Sequence, residues 1–472
     1  MTVFDPFLPA VEIARRVRDG DIFAGVVAEE YLSRITAINP RINAYTDVVA
    51  DRAISHAVQV DRDRADGKPL PPLAGVPYAA KNLYDIAGRT TRAGSKINRE
   101  NPPAKRDADL IERMDAAGAV CLGALNMGEF AYDFTGENVH DGACRNPHDT
   151  TRMTGGSSSG SGAATAAGLA PISLGSDTNG SLRVPASLCG VYSLKPTYGR
   201  LSRGGSFPFV DSLDHVGPLA RTVEDLALAF DCLQGPSTRD HACRATHVQP
   251  TFDSLNSGIS GFRIGVPRGW FDAQCTDDAL SRRAQVIQAL SESCTTEDIT
   301  LDEAEIGRAA AYLITNSESA TFHLPNLRTR ADDFDPDTRD RFLAGALLPA
   351  AWIQKAQRVR HWWLHHALKA FETCDVLVVP ATPCTAPLIG QKTLEVAGTE
   401  RLLRPVLGLL AQPFSAIGLP VVTVPVFADD DLPLGMQIVA APWCEEKALR
   451  VARFLEQAGV AAARSPRSST TA

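Results

Sequence analysis

The sequence predicts an α/β protein. Three observations carry that prediction: short, bounded apolar runs suited to buried strands, stretches with apolar residues every three or four positions suited to helices, and the alternation of the two along 472 residues. Val11, Ala14 and Val17, then Val26, Val27, Tyr31, Ile35 and Ile38, predict two helices within the first 60 residues, with Asn39-Pro40 as a stop. Pro69 to Pro72 mark a turn, and Leu73 to Ala80 follows as a buried strand. Lys81 closes that run, either as a solvent-facing cap or as a buried functional amine. Leu110, Ile111 and Met114 predict a helix between Asp107 and Gly118, and Ala119 to Gly123 the next strand. The rhythm continues with a helix over Ala163 to Leu169, a strand over Pro171 to Leu174 and a helix over Thr222 to Leu233. Residues 236–261, rich in Pro, Ser, Thr, Asp, His and Gly, form a surface excursion before a strand over Phe262 to Pro267. Arg330 to Arg341 alternates acids and arginines, as a solvated face capping the helix that leads to Trp352. Asp375 to Pro380 and Val421 to Pro425 are further buried strands, and Ser465 to Ala472 is expected to be a disordered tail.

Composition excludes several classes. Hydrophobic residues make up 44% and charged residues 22%, and no apolar run approaches the roughly 18 residues that span a bilayer. No basic stretch followed by an apolar core opens the chain, so the cytoplasm is the expected location. Lys and Arg total 47 against 55 acids, a net charge of −8 without a long basic cluster, which argues against nucleic acid as a partner. Ten cysteines without a C-x-x-C pair suit reduced thiols. His361 and His365 have a metal-ligating spacing, but Trp362, Trp363, Leu364 and His366 around them fit an amphipathic helix, and no metal or other cofactor is expected.

The unusual stretch is Gly155-Gly156-Ser157-Ser158-Ser159-Gly160-Ser161-Gly162, set directly before the alanine-rich 163–167. A flexible linker is one reading, although linkers seldom run straight into a helix and a strand. A phosphate cradle is another, but the lysine of a P-loop is absent. A serine nucleophile is the third: residues 156–160 satisfy G-x-S-x-G, with Asp214-His215 downstream as possible triad partners for Ser158. A second block, Gly175-Ser176-Asp177-Thr178-Asn179-Gly180-Ser181-Leu182-Arg183-Val184-Pro185, precedes Leu194-Lys195-Pro196-Thr197-Tyr198-Gly199-Arg200.

Together these blocks resemble the amidase signature family, whose machinery combines a lysine after a strand, a serine in a Gly-Gly-Ser-Ser motif and a serine ending a Thr-x-Gly-Ser turn. Lys81, Ser157 and Ser181 match, 76 and 24 residues apart. The similarity is strongest from about Leu73 to Pro218 and extends to Pro433–Val439. It implies a large, mixed, twisted sheet sandwiched by helices. It also implies one domain over 1–464, with N-terminal helices in 1–60, the signature core at about 73–218 and a C-terminal part over 262–464.

The resemblance implies that Ser181 is the nucleophile that forms an acyl-enzyme, Ser157 the proton relay and Lys81 the terminal base. It also implies a cis peptide bond at Gly156–Ser157. Such a lysine must be neutral, which burial behind Val76 to Ala80 favours. The turn Thr178, Asn179, Gly180, Ser181 can aim backbone N–H groups at one spot as an oxyanion hole, with Gly180 allowing close approach. Ser158 is expected to support the relay, and Asp177 with Arg183 to hold the turn. Two departures stand out: Asn82 where many relatives carry Asp, and Ser159 in place of a glycine.

Residues 81–88, 93–98, 126–132 and 176–181 resemble one branch of the family, whose members hydrolyse 1-carboxybiuret or biuret during cyanuric acid breakdown, release ammonia and work with a small accessory protein. A homodimer or heteromeric assembly is the corresponding expectation. Tyr132, Asn179 and either Arg328 or Arg330 are candidates to hold a carbonyl or carboxylate. The alternatives within the resemblance are the A subunit of a glutamyl-tRNA amidotransferase, a general aliphatic amidase, and a scaffold that has lost activity. The last should lack one of Lys81, Ser157 or Ser181, and all three are present.

Overall fold

A computed structural model describes residues 4–244, 247–428 and 432–467. Eleven strands form one sheet. From edge to edge these are Tyr45–Val48, Val120–Leu125, Pro77–Lys81, Ile172–Asp177, His215–Ala220, Tyr192–Lys195, Val421–Val426, Leu434–Ala440, Val376–Pro380, Arg263–Pro267 and Thr295–Ile299. Pro77–Lys81 runs parallel to both neighbours, as does Arg263–Pro267, and antiparallel pairs join these two parallel groups. The sheet is therefore mixed, as expected.

Burial explains why strands such as Val421–Val426 are legible in the sequence. Val421–Val426 is buried at every position, so both faces need cover. Helices Arg183–Cys189 and Glu445–Gln457 each pack on it. Val223–Leu233 lies beside the second of these, capped at Thr222 by a side chain that accepts from the Asp225 N–H. Among the described residues no helix is long and apolar enough to cross a membrane.

Three predictions need correction, two of them N-terminal. Asn39-Pro40 does not stop the second helix, which spans Ala24–Ile42 and ends where Asn43 turns left-handed, its N–H donating to the Asn39 carbonyl at 2.7 Å. Proline so near a C-terminus removes one helical hydrogen bond only. A third helix, Ala50–Ala65, was not predicted; its buried stripe is the thin set Ala53, Ala57 and Val60 among charged residues. The 330–341 stretch is not simply a solvated face either. It holds a short turn at Ala331–Asp333 and the start of helix Pro336–Ala346, capped by Asp335, and Arg341 turns inward.

Residues 236–261 carry no helix or strand among those described, yet the Asp231 carboxylate pins them by accepting from the N–H groups of Thr251 and Phe252. Of the predicted tail, 468–472 lie outside the described residues.

Candidate active site

Because Pro77–Lys81 and Ile172–Asp177 run parallel, Lys81 and Asp177 end at the same edge of the sheet. Clefts in sheets of this kind form at the carboxyl ends of parallel strands. The Gly/Ser block arrives there at the start of helix Ser159–Ala166, and residues 153–166 are all buried, which overturns the linker reading.

Lys81 is fully buried, and its Nζ lies within hydrogen-bond distance of Ser157 Oγ (2.7 Å), Ser176 Oγ (3.0 Å) and Ser158 Oγ (3.1 Å). Burial brings its pKa from 10.5 down to about 7, against the pull of the carboxylates of Asp177, Asp214 and Asp133. The buried-amine reading of Lys81 therefore holds. Ser158 Oγ also donates to the Ser176 carbonyl at 3.1 Å, and its N–H reaches the Ser181 carbonyl at 3.4 Å. The Gly156–Ser157 bond is cis. Gly175 must be glycine because a Cβ would lie 2.9 Å from Ser158 Oγ.

The turn that ends in Ser181 is organised by one buried carboxylate. Asp177 Oδ1 accepts from the Gly180 N–H at 2.7 Å, and Oδ2 from the Leu182 N–H at 3.1 Å. Arg183 grips both oxygens at 2.9 Å through Nε and Nη2. Burial alone would raise the Asp177 pKa, but the Arg183 guanidinium outweighs it and holds the group well below the carboxylate range. The hole drawn over residues 178–181 therefore needs one correction: the Gly180 N–H is already committed. No hydrogen bond within the described residues takes the N–H of Thr178, Asn179 or Ser181. Gly180 contributes its φ of +138°, which L side chains rarely adopt, in a space where a Cβ would meet Ala411 Cβ at 2.9 Å.

The His215 triad reading fails on geometry. His215 Nδ1 faces the Leu213 and Asp177 carbonyls at 2.6 and 3.1 Å, while Ser158 Oγ is occupied by Lys81. Asp214 accepts instead from Thr178 Oγ1 at 2.6 Å and from the N–H groups of Phe209 and Val210. The two departures point elsewhere: Asn82 Nδ2 donates to Thr46 Oγ1 at 2.7 Å, and Ser159 Oγ to the Asn126 carbonyl at 3.2 Å.

Ser181 opens into a cavity of about 240 Å³. Tyr132 and Asn179 line it, whereas Arg328 and Arg330 do not. Arg330 pairs with Asp333 and Glu100 near the surface, because its segment turns outward there. Tyr132 presents its ring rather than its hydroxyl, which donates to Asn316 Oδ1 at 2.5 Å. Asn179 Nδ2 donates to Thr315 Oγ1 at 2.8 Å, and its Oδ1 has no partner among the described residues.

The arginines that do line the cavity, Arg308, Arg341 and Arg404, were not foreseen. Arg404 pairs with Asp133 and Asp337 at 3.2 and 3.0 Å. Arg341 donates to the carbonyls of Tyr132 and Asp337 at 2.6 and 2.7 Å and lies 3.8 Å from the Tyr132 ring centre. Arg308 Nε donates to Gln412 Oε1 at 2.7 Å. No local motif marks these positions; the one available signal was the polar spacing of Arg308, Tyr312 and Thr315, at i, i+4 and i+7 on a single helix.

Comparison with known proteins identifies the family. The family described as Amidase matches residues 26–449. The chain is 52% identical over 458 residues to AtzE, the 1-carboxybiuret hydrolase chain of Pseudomonas sp. (strain ADP), covering 96% of this chain and 99% of that relative. It is 36% identical over 476 residues to the A subunit of the glutamyl-tRNA(Gln) amidotransferase of Symbiobacterium thermophilum, covering 94% and 95%. A solved structure described as a vestigial protein complex that reveals the evolutionary origins of an s-triazine catabolic enzyme superposes with a TM-score of 0.95 at 51% identity, covering 97% of this chain and all of the other.

Proposed function

Since the chain belongs to the amidase signature family, we propose that it is an amidohydrolase cleaving the terminal C–N bond of a small ureide, 1-carboxybiuret or biuret, with release of ammonia. The observation that carries this reading is the 52% identity, over nearly the whole of both chains, to a 1-carboxybiuret hydrolase.

An amide carbon is a poor electrophile, so attack needs an activated nucleophile, a site for the oxyanion and a proton for the leaving amine. In the proposed mechanism Ser181 Oγ attacks the carbonyl carbon, and its proton passes through Ser157 to neutral Lys81. The contact of Lys81 with Ser157 supports this route, as does the burial that lowers the pKa of the amine to about 7. The negative charge on the carbonyl oxygen meets the uncommitted N–H groups of the 178–181 turn. Lys81 returns the proton through Ser157 to the nitrogen, the C–N bond breaks, and ammonia leaves an acyl group on Ser181. Water, deprotonated along the same path, then frees Ser181 and releases a carbamate.

The charge of the cavity supports an anionic ureide over glutamine. Its acid is Asp133, already paired with Arg404, so the ammonium of an amino acid would find no free counter-charge. A carboxylate would find arginine. The reading also includes a small accessory protein within an oligomeric assembly, supported by a similar structure described as a complex and by a relative whose name makes it one subunit of its enzyme.

Ammonia release from 1-carboxybiuret, biuret, glutamine and a simple aliphatic amide tests the assignment, with Ser181→Ala as blank. The chain should be purified with any co-expressed small neighbour. Ureide turnover that falls by about 10⁴-fold or more in Ser181→Ala is expected. Preference for glutamine would transfer the chain to the amidotransferase reading, and near-normal turnover in Ser181→Ala would remove the nucleophile.

A further inference from the structure

The three arginines of the cavity differ in what they already hold. Arg404 is neutralised by two carboxylates, and Arg341 is fixed by two backbone carbonyls against Tyr132. Arg308 has a single partner, Gln412 Oε1, on Nε. Among the described residues nothing accepts from its two terminal nitrogens, and no carboxylate forms an ion pair with it.

That guanidinium is also partly out of water. Burial pulls its pKa below the usual arginine value, and no carboxylate among the described residues opposes that pull. A buried cation without a counter-charge is costly, and a ligand anion would remove that cost. The position suits such a ligand. Arg308, Tyr312 and Thr315 share one face of helix Ala304–Thr329, and Thr315 Oγ1 accepts from Asn179 in the turn that carries Ser181. Arg308 and Thr315 are separated by about 10 Å along the helix axis, so one wall of the cavity runs from the arginine to the nucleophile's turn.

We propose that Arg308, oriented by Gln412, is the specificity-determining carboxylate clamp of this active site, its two terminal nitrogens holding the carboxylate of a ureido acid while the carboxamide end lies at Ser181. The inference rests on the ureide reading and adds the residue that separates an anionic from a neutral ureide. Gln412 has a defined part in it. As a neutral amide it fixes the plane of the fork through Nε without cancelling its charge; glutamate there would do both.

Binding in the Ser181→Ala chain, followed by calorimetry, tests this without turnover. The probes are N-carbamoylglycine, a stable ureido acid, and its neutral amide. The carboxylate should bind more tightly than the amide by about 30-fold, as for a charge-assisted bidentate contact. Arg308→Gln and the isosteric Gln412→Glu should each erase that preference while moving the neutral amide by less than about 3-fold, and Arg308→Lys should retain part of it. Equal losses for both probes, or a preference that survives Arg308→Gln, would overturn the clamp. If the preference depends on Arg308 and no ureide is turned over by the active chain, the clamp stands and the ureide assignment falls. Ureide hydrolysis with no dependence on Arg308 reverses that outcome.

Discussion

A lysine can accept the proton of a serine relay only while it is unprotonated, so the pKa of Lys81 sets the working pH of the proposed mechanism. Desolvation brings it to about 7, and the carboxylates of Asp177, Asp214 and Asp133 resist that fall by favouring the ammonium. The sign of the pH dependence follows. Below about 7 Lys81 is protonated and idle, so kcat/KM should rise with pH through that value and level off above it. Asp214 offers a way to move this limb. Its own pKa is pushed up to about 6, by burial first, while Thr178 and two backbone N–H groups pull it back. Asp214→Asn removes one of the charges that hold the ammonium on Lys81, so the limb should shift to lower pH. A pH–rate profile in which wild type and Asp214→Asn share the same limb would separate Asp214 from the base.

The 177–183 turn is the element on which the proposed mechanism depends, and one carboxylate fixes it from inside. Asp177→Asn would leave Arg183 buried without its counter-charge, and a loss of about 3–5 kcal/mol is expected in denaturant titration. Gly180→Ala puts a Cβ against Ala411 at a φ that alanine avoids; kcat should fall more than KM changes, with about 1–3 kcal/mol of stability lost. A Gly180→Ala enzyme with normal kcat would show the turn to be more tolerant than its packing suggests. This element was legible in the sequence because its chemistry is local, with Asp177, Gly180, Ser181 and Arg183 inside seven residues. Lys81 was legible as a lysine closing an apolar strand, but its position on that strand left cap and buried amine open until the two serine motifs were matched with it. Val376–Pro380 and Val421–Val426 showed as bounded apolar runs, whereas Tyr192–Lys195 and His215–Ala220, equally buried, carry polar residues and gave no such run. Other elements gave no such signal: helix Ala50–Ala65 buries two alanines and a valine, and the hairpin Thr393–Val396 with Thr399–Leu402 is largely polar. The cavity arginines come from three separate segments, and an arginine facing inward has the same local pattern as one facing water. For that reason the sequence suggests Arg330 and is silent on Arg308.

At the scale of the whole molecule, the segment carrying Ser181 is held by the other half of the chain. Arg183 Nη1 donates to the Ala411 carbonyl at 2.9 Å and to Gln437 Oε1 at 2.7 Å, and its Nη2 to Ser415 Oγ. Strand Tyr192–Lys195 pairs with Val421–Val426, so the sheet itself passes from the signature core into the C-terminal part without a break. The cavity is likewise shared, with Ser181 on one side and Arg308, Arg341 and Arg404 on the other. One apolar core also draws on residues of both parts. The proposal that the two form one cooperative unit predicts a single calorimetric transition whose calorimetric and van't Hoff enthalpies agree. Gln437→Leu, which deprives Arg183 of an acceptor in the other half, should lower that transition without splitting it, and ureide turnover at moderate temperature should fall with it. Two resolved transitions, or a Gln437→Leu chain in which only one of two transitions moves, would mean that the halves fold separately and that the site is assembled by docking.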